Sequence, residues 1–143
     1  ALDDAARRAP NLCSEIAKMA LGRWERVKPV VIDEVIIRIN RRVEGSDLYL
    51  VGLLGMLYRF GETPAFPADC KARIEACVLS FRYWLDEPGN DALCFWTESN
   101  QILFHTCEIL AGQLFPASFF PNAGRNGLWH REQGEARALA CWR

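Results

Sequence analysis

Apolar residues recur at intervals of three and four along most of the chain, a spacing that is typical of amphipathic helices. Alternation of apolar and polar residues with a period of two is short wherever it occurs. Gly and Pro mark most of the breaks between the periodic segments. The pattern therefore predicts helices over residues 11–27, 29–43, 48–60, 67–85 and 97–115, and a further helix that begins near residue 128.

One segment competes as a strand, because residues 30–39 are rich in β-branched side chains. Within it, however, Val31, Val35 and Arg38 follow helical spacing. Pro29 also suits the first turn of a helix, where its missing N–H is not needed. We therefore predict a helix here.

The third predicted helix, residues 48–60, is apolar nearly all round, which predicts burial. Either Ser46 or Asp47 can serve as its N-cap. Gly52 and Gly55 lie on nearly one face of this helix. Since glycine lowers helix propensity, we expect these two positions to permit another helix to approach closely.

Helices with short connections predict an all-α fold built from antiparallel helical hairpins. The chain shows no strict internal repeat and no linker that would divide it, so we treat residues 1–143 as a single domain. The last predicted helix reaches Arg143 without a glycine cap or a proline stop. We expect the chain to be a fragment of a larger protein.

Composition and charge exclude several classes of function. With 50% hydrophobic and 24% charged residues, the chain is expected to be globular. A net charge of -1 argues against nucleic acid and acidic membrane surfaces as partners. The longest apolar run, residues 48–57, is far shorter than the roughly 20 residues of a membrane span. No signal peptide is visible in residues 1–11, and the compartment stays open.

Metal and cofactor chemistry has little support in the sequence. The 6 cysteines form no CxxC pair, so we expect buried free thiols rather than a zinc or redox site. HExxH is absent, and His130 is the only histidine besides His105. A glycine-rich phosphate loop and a serine nucleophile elbow are also absent. We predict neither a metal nor a cofactor.

The fifth predicted helix, residues 97–115, has a narrow polar stripe on an otherwise apolar circumference. At about 100° per residue, the stripe residues lie within about 80° of one another. The stripe lacks Lys and Arg, and three interpretations stay open: a solvent-facing side, a buried polar network between hairpins, and a functional site in a cleft. The stripe consists of Glu98, Gln101, His105, Glu108 and Gly112.

As a functional site, the stripe would use acid–base chemistry. His105 and Glu108 are three residues apart, so the carboxylate can orient the imidazole and His105 can act as a general base near neutral pH. Glu98 lies about 15 Å along the helix from Glu108. Glycosidase carboxyl pairs are roughly 5–9.5 Å apart, so these two residues cannot form such a pair. A partner for Glu98 would come from elsewhere, with the turn at residues 86–91 nearest in sequence.

The second half of the chain resembles a segment of large, poorly characterised bacterial proteins. The resemblance is carried by residues 83–89, 95–98 and 104–116, and it continues through residues 122–124, Gly127, His130 and Trp142. In that family the middle motif reads Trp-Ser-Glu-Asn-His, whereas here Glu98 is followed by Ser99 and Asn100. The family's first histidine is therefore missing. Either this copy is impaired, or His105 is the histidine that matters.

The resemblance implies a helical toroid of the kind found in heparinase-like lyases and six-hairpin glycosidases. We therefore expect a partial (α/α) toroid with a carbohydrate-active function, acting on a polysaccharide or oligosaccharide as a lyase or hydrolase. His105 would be the base or proton relay, Glu108 its orienting partner, and Glu98 a substrate-positioning group. The expected substrate-binding residues are Asn100, Gln101, Trp96, Trp84, Asp86, Arg125 and Asn122.

For each of these residues a structural role is the alternative. Trp84 and Trp96 would stack on sugar rings if exposed, but core packing is the ordinary role of aromatic residues. Asn122 and Arg125 lie in a loop whose composition alone predicts polar groups. The alternative function is a noncatalytic α-helical scaffold or interaction module, with the stripe as an interhelical network. The remainder of the same polypeptide is a further expected partner.

Overall fold

Helices dominate the chain in the computed structural model, which describes residues 9–142. A 3-10 turn, Trp24–Arg26, follows the first helix, and two-residue antiparallel strands precede the last one. The predicted all-α class is confirmed, and residues 30–39 are helical. The elements are α1 Leu12–Ala20, α2 Pro29–Asn40, α3 Ser46–Phe60, α4 Ala68–Ser80, α5 Glu98–Leu114, β1 Phe119–Phe120, β2 Arg125–Asn126 and α6 Gly127–Cys141. Residues 1–8, where we looked for a signal peptide, and Arg143 lie outside the described residues.

Three predicted helices end earlier than expected. Helix α1 ends at Ala20 rather than residue 27, because Gly22 adopts a left-handed conformation with φ 71°. Helix α4 ends at Ser80 rather than residue 85, because Phe81 is extended. Helix α2 likewise ends at Asn40 rather than residue 43. The predicted loop at residues 116–127 is also wrong in part, since it contains the β1–β2 hairpin.

The apolar core surrounds helix α3 and is formed with α1, α2, α4, α5 and the segment 81–95. Most of helix α3 is buried as predicted, with Leu50, Leu53 and Leu54 fully enclosed, whereas Leu48 and Tyr58 are exposed. The expected N-cap is wrong: Gly45 occupies that position with φ 87°, and Ser46 and Asp47 lie buried in the first turn. Such burial of a helix surface by its neighbours contributes most of the stability that isolated helices lack.

Close helix approach occurs at one of the two glycines predicted for it. A Cβ at Gly52 would lie 2.5 Å from the Leu12 side chain of α1, whereas Gly55 has nothing within 4 Å of that position. The tightest contact is instead between α5 and α6, which run antiparallel. A Cβ at Gly112 would lie 2.3 Å from the carbonyl oxygen of Gly127. The α5–α6 hairpin therefore brings two backbones together without intervening side chains.

The described helices are also too short or too polar for a membrane span, since none in residues 9–142 combines the needed length and hydropathy.

Candidate functional site

The polar stripe of α5 faces α6 and is largely covered by it. His105 is 1% exposed, Glu108 is fully buried, and Gly112 is also buried. The solvent-face interpretation is therefore wrong for this part of the stripe. The stripe is buried because α6 lies so close to α5. Gly134 of α6 has no side chain and packs directly against the backbone of α5 at His105 and Ile109.

Glu108 is the centre of a buried ionic chain, which we call the Glu108 cluster: Glu108, His130, Arg137 and Asp86. One carboxylate oxygen of Glu108 lies 2.9 Å from Nδ1 of His130. Nη1 of Arg137 donates to both oxygens of Glu108 at 3.2 and 3.1 Å. Nη2 of Arg137 donates to Asp86 at 2.7 Å. The cluster thus runs from the interior of the α5–α6 hairpin to the half-exposed carboxylate of Asp86.

His105 lies beside this cluster without joining it by a hydrogen bond. Its ring centre is 4.4 Å from that of Trp84. Burial lowers the pKa of His105, as does the nearby positive charge of Arg137, while Glu108 opposes the shift. The environment of His105 therefore favours its neutral form. Its Nδ1 atom is buried and has no hydrogen-bond partner within residues 9–142.

His130 is the histidine that Glu108 does hold. Its ring lies among aromatic neighbours, with centres 4.5 Å from Phe120, 5.0 Å from Trp129 and 5.4 Å from Tyr83. The Nε2 atom is buried and has no hydrogen-bond partner in the described part of the chain. Because Nδ1 contacts a carboxylate, that nitrogen is the natural donor of the ring.

Three of the predicted substrate-binding residues meet where the Glu108 cluster reaches the surface. The guanidinium carbon of Arg137 lies 5.8 Å from the ring centre of Trp84 and 6.0 Å from that of Trp129. The guanidinium carbon of Arg125 also lies near Trp129, 5.4 Å from its ring centre. Indole rings and guanidinium groups therefore alternate in a row, in the order Trp84, Arg137, Trp129 and Arg125. Such cation–π contacts are favourable when they are partly desolvated. Trp84, Asp86 and Arg125 come together along it.

The other predicted substrate-binding residues lie elsewhere. Asn100 and Gln101 donate their side-chain amides to the backbone oxygens of Cys94 and Phe95, at 3.1 and 2.9 Å, which braces the start of α5. Glu98 is exposed at the first turn of α5, and the preceding Trp96 is 86% exposed. These four side chains lie at or just before the start of α5, and the structure does not bring them to the Glu108 cluster.

Asn122 belongs to a second polar group that braces the segment 82–91. Its amide nitrogen donates to Glu87 at 3.1 Å, and its amide oxygen accepts from Arg42 at 3.0 Å. The other oxygen of Glu87 accepts from the backbone N–H groups of Tyr83 and Trp84. Burial raises the pKa of Glu87, and the Asn122 hydrogen bond lowers it in part. Asn122 is thus occupied by structural hydrogen bonds.

The sequence interpretation missed Arg137 and gave His130 no role. A second polar and small-residue stripe on α6 was the available signal, because Gly127, His130, Gly134, Arg137 and Cys141 are spaced by three or four residues. Matching this stripe to that of α5 would have predicted the contact. The α6 stripe carries Gly127 and Gly134 and the α5 stripe carries Gly112, and at these glycines the two helices pack closely around the buried polar groups.

Thiols and metal-binding groups are scattered in the described structure. All 6 cysteines are free, and Cys70, Cys77 and Cys107 are buried as predicted. Cys13 is exposed, and Cys94 and Cys141 are partly exposed, so the prediction is wrong for those three. No group of at least 3 metal-binding side chains is placed to hold an ion within residues 9–142.

Comparison with known protein families, curated proteins and solved structures finds no match to this chain. The function is therefore inferred from geometry alone. Two features bear on it: a polar network buried between α5 and α6, and a tryptophan–arginine surface where that network meets solvent.

Proposed function

We propose that this chain is a noncatalytic α-helical scaffold module in which the Glu108 cluster locks α5 onto α6. The burial of Glu108 supports this most directly. Its side chain is fully enclosed, and both of its oxygens accept hydrogen bonds from His130 or Arg137. Such a carboxylate holds helices in one arrangement.

A lyase or hydrolase needs a base within hydrogen-bond reach of the substrate proton. His105 is 1% exposed and covered by Trp84, so a polysaccharide has no approach to its ring in this conformation. Buried ion pairs can instead specify one helix arrangement, as single buried polar residues do in coiled coils. The structural role is thus the better fit to the geometry.

The outer surface of the α5–α6 hairpin gives the scaffold a face for assembly. Ile102, Leu139 and Trp142 are exposed and, with Thr106 and Ala138, line a groove of about 280 Å³. Exposed apolar surface of this kind favours contact with another apolar surface. We propose another helical hairpin as the occupant, stacked as in an arc of an (α/α) toroid, since a groove between two antiparallel helices accepts a helix.

A carbohydrate-active function, with lyase or hydrolase chemistry, is the second candidate. The observation in its favour is the convergence of Trp84, Asp86 and Arg125 at the surface. Aromatic faces beside charged and hydrogen-bonding groups are suited to sugar rings. In this proposal the tryptophan–arginine surface binds the sugar, and His105 would act as the base once Trp84 moves away from it.

The substitution His105→Ala distinguishes the two functions. We would measure urea unfolding of the parent chain and the variant, together with their turnover of acidic and neutral polysaccharides. A scaffold predicts no turnover and a loss of about 2 kcal/mol or more, because a buried ring is deleted. The matched variant Glu98→Ala, at an exposed position of the stripe, should leave stability within about 0.5 kcal/mol. Turnover by the parent chain that His105→Ala abolishes while the variant remains folded would favour the carbohydrate-active enzyme.

A further inference from the structure

A cleft lies between the start of α3 and the start of α5, away from the Glu108 cluster. Its volume is about 420 Å³, which is within the range of small-molecule sites. We call it the Asp47 cleft. It is lined by Glu44, Gly45, Asp47, Leu48, Ser99, Asn100 and Leu103.

Asp47 is the unusual residue of this cleft, because it is a buried carboxylate without a cation. Asp47 is 5% exposed, and its carboxylate forms no hydrogen bond or ion pair with another side chain of residues 9–142. Burial raises its pKa, and the backbone N–H groups of Leu48 and of Asp47 itself offset this only in part. Ionisation of Asp47 is therefore less favourable in the fold than in water, and a positive group that enters the cleft would favour the ionised form.

The rest of the lining has the same chemical preference. Glu44 adds a second carboxylate, and no Lys, Arg or His is among the lining residues. The amide nitrogen of Asn100 is occupied by the backbone oxygen of Cys94, which leaves the amide oxygen as an acceptor. Leu48, which is 68% exposed, and Leu103 supply apolar walls. The cleft thus combines hydrogen-bond acceptors with a short hydrophobic surface.

We propose that the Asp47 cleft binds an alkylammonium group, with the cationic head at Asp47 and the aliphatic body against Leu48 and Leu103. A charged donor fits a buried carboxylate better than a neutral one, since hydrogen bonds between ions are the stronger ones. A divalent metal is the poorer fit, because no cluster of at least 3 metal-binding side chains is found in residues 9–142. The proposal does not depend on the scaffold function.

An alkylammonium group can belong to a free amine or to a lysine side chain of another protein. The experiment therefore uses n-butylammonium and a short peptide with one central lysine as probes, with 1-butanol and magnesium chloride as controls. Binding is measured by calorimetry and by the methyl NMR signals of Leu48 and Leu103. Tight binding of the peptide with weak binding of n-butylammonium would assign the site to a protein partner.

The variant Asp47→Asn should weaken binding of n-butylammonium about tenfold or more, the loss expected for a hydrogen-bonded ion pair. Glu44→Gln, at an exposed position, should weaken it several-fold and keeps the test valid if Asp47→Asn misfolds. The matched variant Glu132→Gln changes an exposed carboxylate on α6 and should bind as the parent does. The thermal midpoint of Asp47→Asn should be equal to or above that of the parent, because a buried charge is removed.

Three results would overturn the proposal. One is that neither ammonium probe shifts the methyl signals of Leu48 and Leu103. Another is that 1-butanol binds as tightly as n-butylammonium, which would show an apolar cleft without charge recognition. The third is that magnesium binds while both ammonium probes do not.

Discussion

Helices in this protein contact one another in two very different ways. Between α2 and α3 the contact is made by branched apolar side chains, such as Ile32, Val35 and Leu53, which are fully buried. Between α5 and α6 the backbones approach at Gly112 and Gly134, and the space beside them holds ionised groups. The first contact depends on the area removed from water, and the second depends on geometry.

The two kinds of contact are expected to differ in how much substitution they tolerate. Apolar side chains of similar volume can replace one another at modest cost, so the α2–α3 contact tolerates variation. The Glu108 cluster requires His130 and Arg137 at their observed positions, because an unpaired buried charge is strongly destabilising. We therefore expect the α5–α6 hairpin to have one register and little tolerance of substitution.

The largest effect is expected from Glu108→Ala. It leaves His130 without its acceptor and Arg137 with only the exposed Asp86, so the unfolding free energy should fall by about 3–5 kcal/mol. Leu53→Ala in the apolar contact should cost about 2–5 kcal/mol, the range for a buried leucine. Glu132→Ala is the surface control. A loss below about 1 kcal/mol for Glu108→Ala in urea unfolding would contradict the structural role of the cluster.

A smaller change in stability, of opposite sign in the two regions, is expected when one glycine of each region is replaced by alanine. Gly112→Ala places a methyl group 2.6 Å from the backbone nitrogen of Arg131, and overpacking of this kind costs about 1–3 kcal/mol. Gly55→Ala meets nothing within 4 Å and should stabilise α3 by up to about 1 kcal/mol. Equal thermal midpoints for the two variants would show that α5 and α6 can move apart without cost.

The smallest effect concerns the pH dependence of stability. Since burial lowers the pKa of His105, the unfolded chain takes up a proton more readily than the folded chain below about pH 6.5. The contribution of His105 to stability is therefore present above this pH and is lost as the pH falls. In His105→Phe the decline towards acid should be shallower, by about 1 kcal/mol or less. The same slope in both proteins, with unfolding measured across this pH range, would show that the fold does not lower the pKa of His105.

Helix positions could be predicted from periodicity, whereas several helix ends could not. The apolar pattern continues past Ser80, but the carboxylate of Glu87 accepts from the N–H groups of Tyr83 and Trp84 and holds this segment in a turn. Likewise, Glu15 accepts from the N–H of Lys28, which fixes the chain beyond α1. Both helix ends depend on hydrogen bonds between a carboxylate and backbone N–H groups, and the apolar pattern of the sequence does not predict such contacts.

The polar stripe shows a similar limit for the site. Its spacing correctly singled out His105 and Glu108 as neighbours on one face of α5, but a single helix cannot show what covers that face. The cover is α6, and its His130 and Arg137 take the hydrogen bonds that were expected to serve His105. The pattern also contained no signal for the Asp47 cleft, because the cleft joins residues from two helices and one preceding turn.

The most direct test of the locked α5–α6 hairpin is a double-mutant cycle between Glu108 and Arg137. Urea unfolding of Glu108→Ala, Arg137→Ala and the double variant measures the free energy that couples the two residues. If the Glu108 cluster holds α5 on α6, the double variant should be more stable than the sum of the single losses by about 1–3 kcal/mol. Additivity within about 0.5 kcal/mol would show independent residues and would contradict the scaffold proposal.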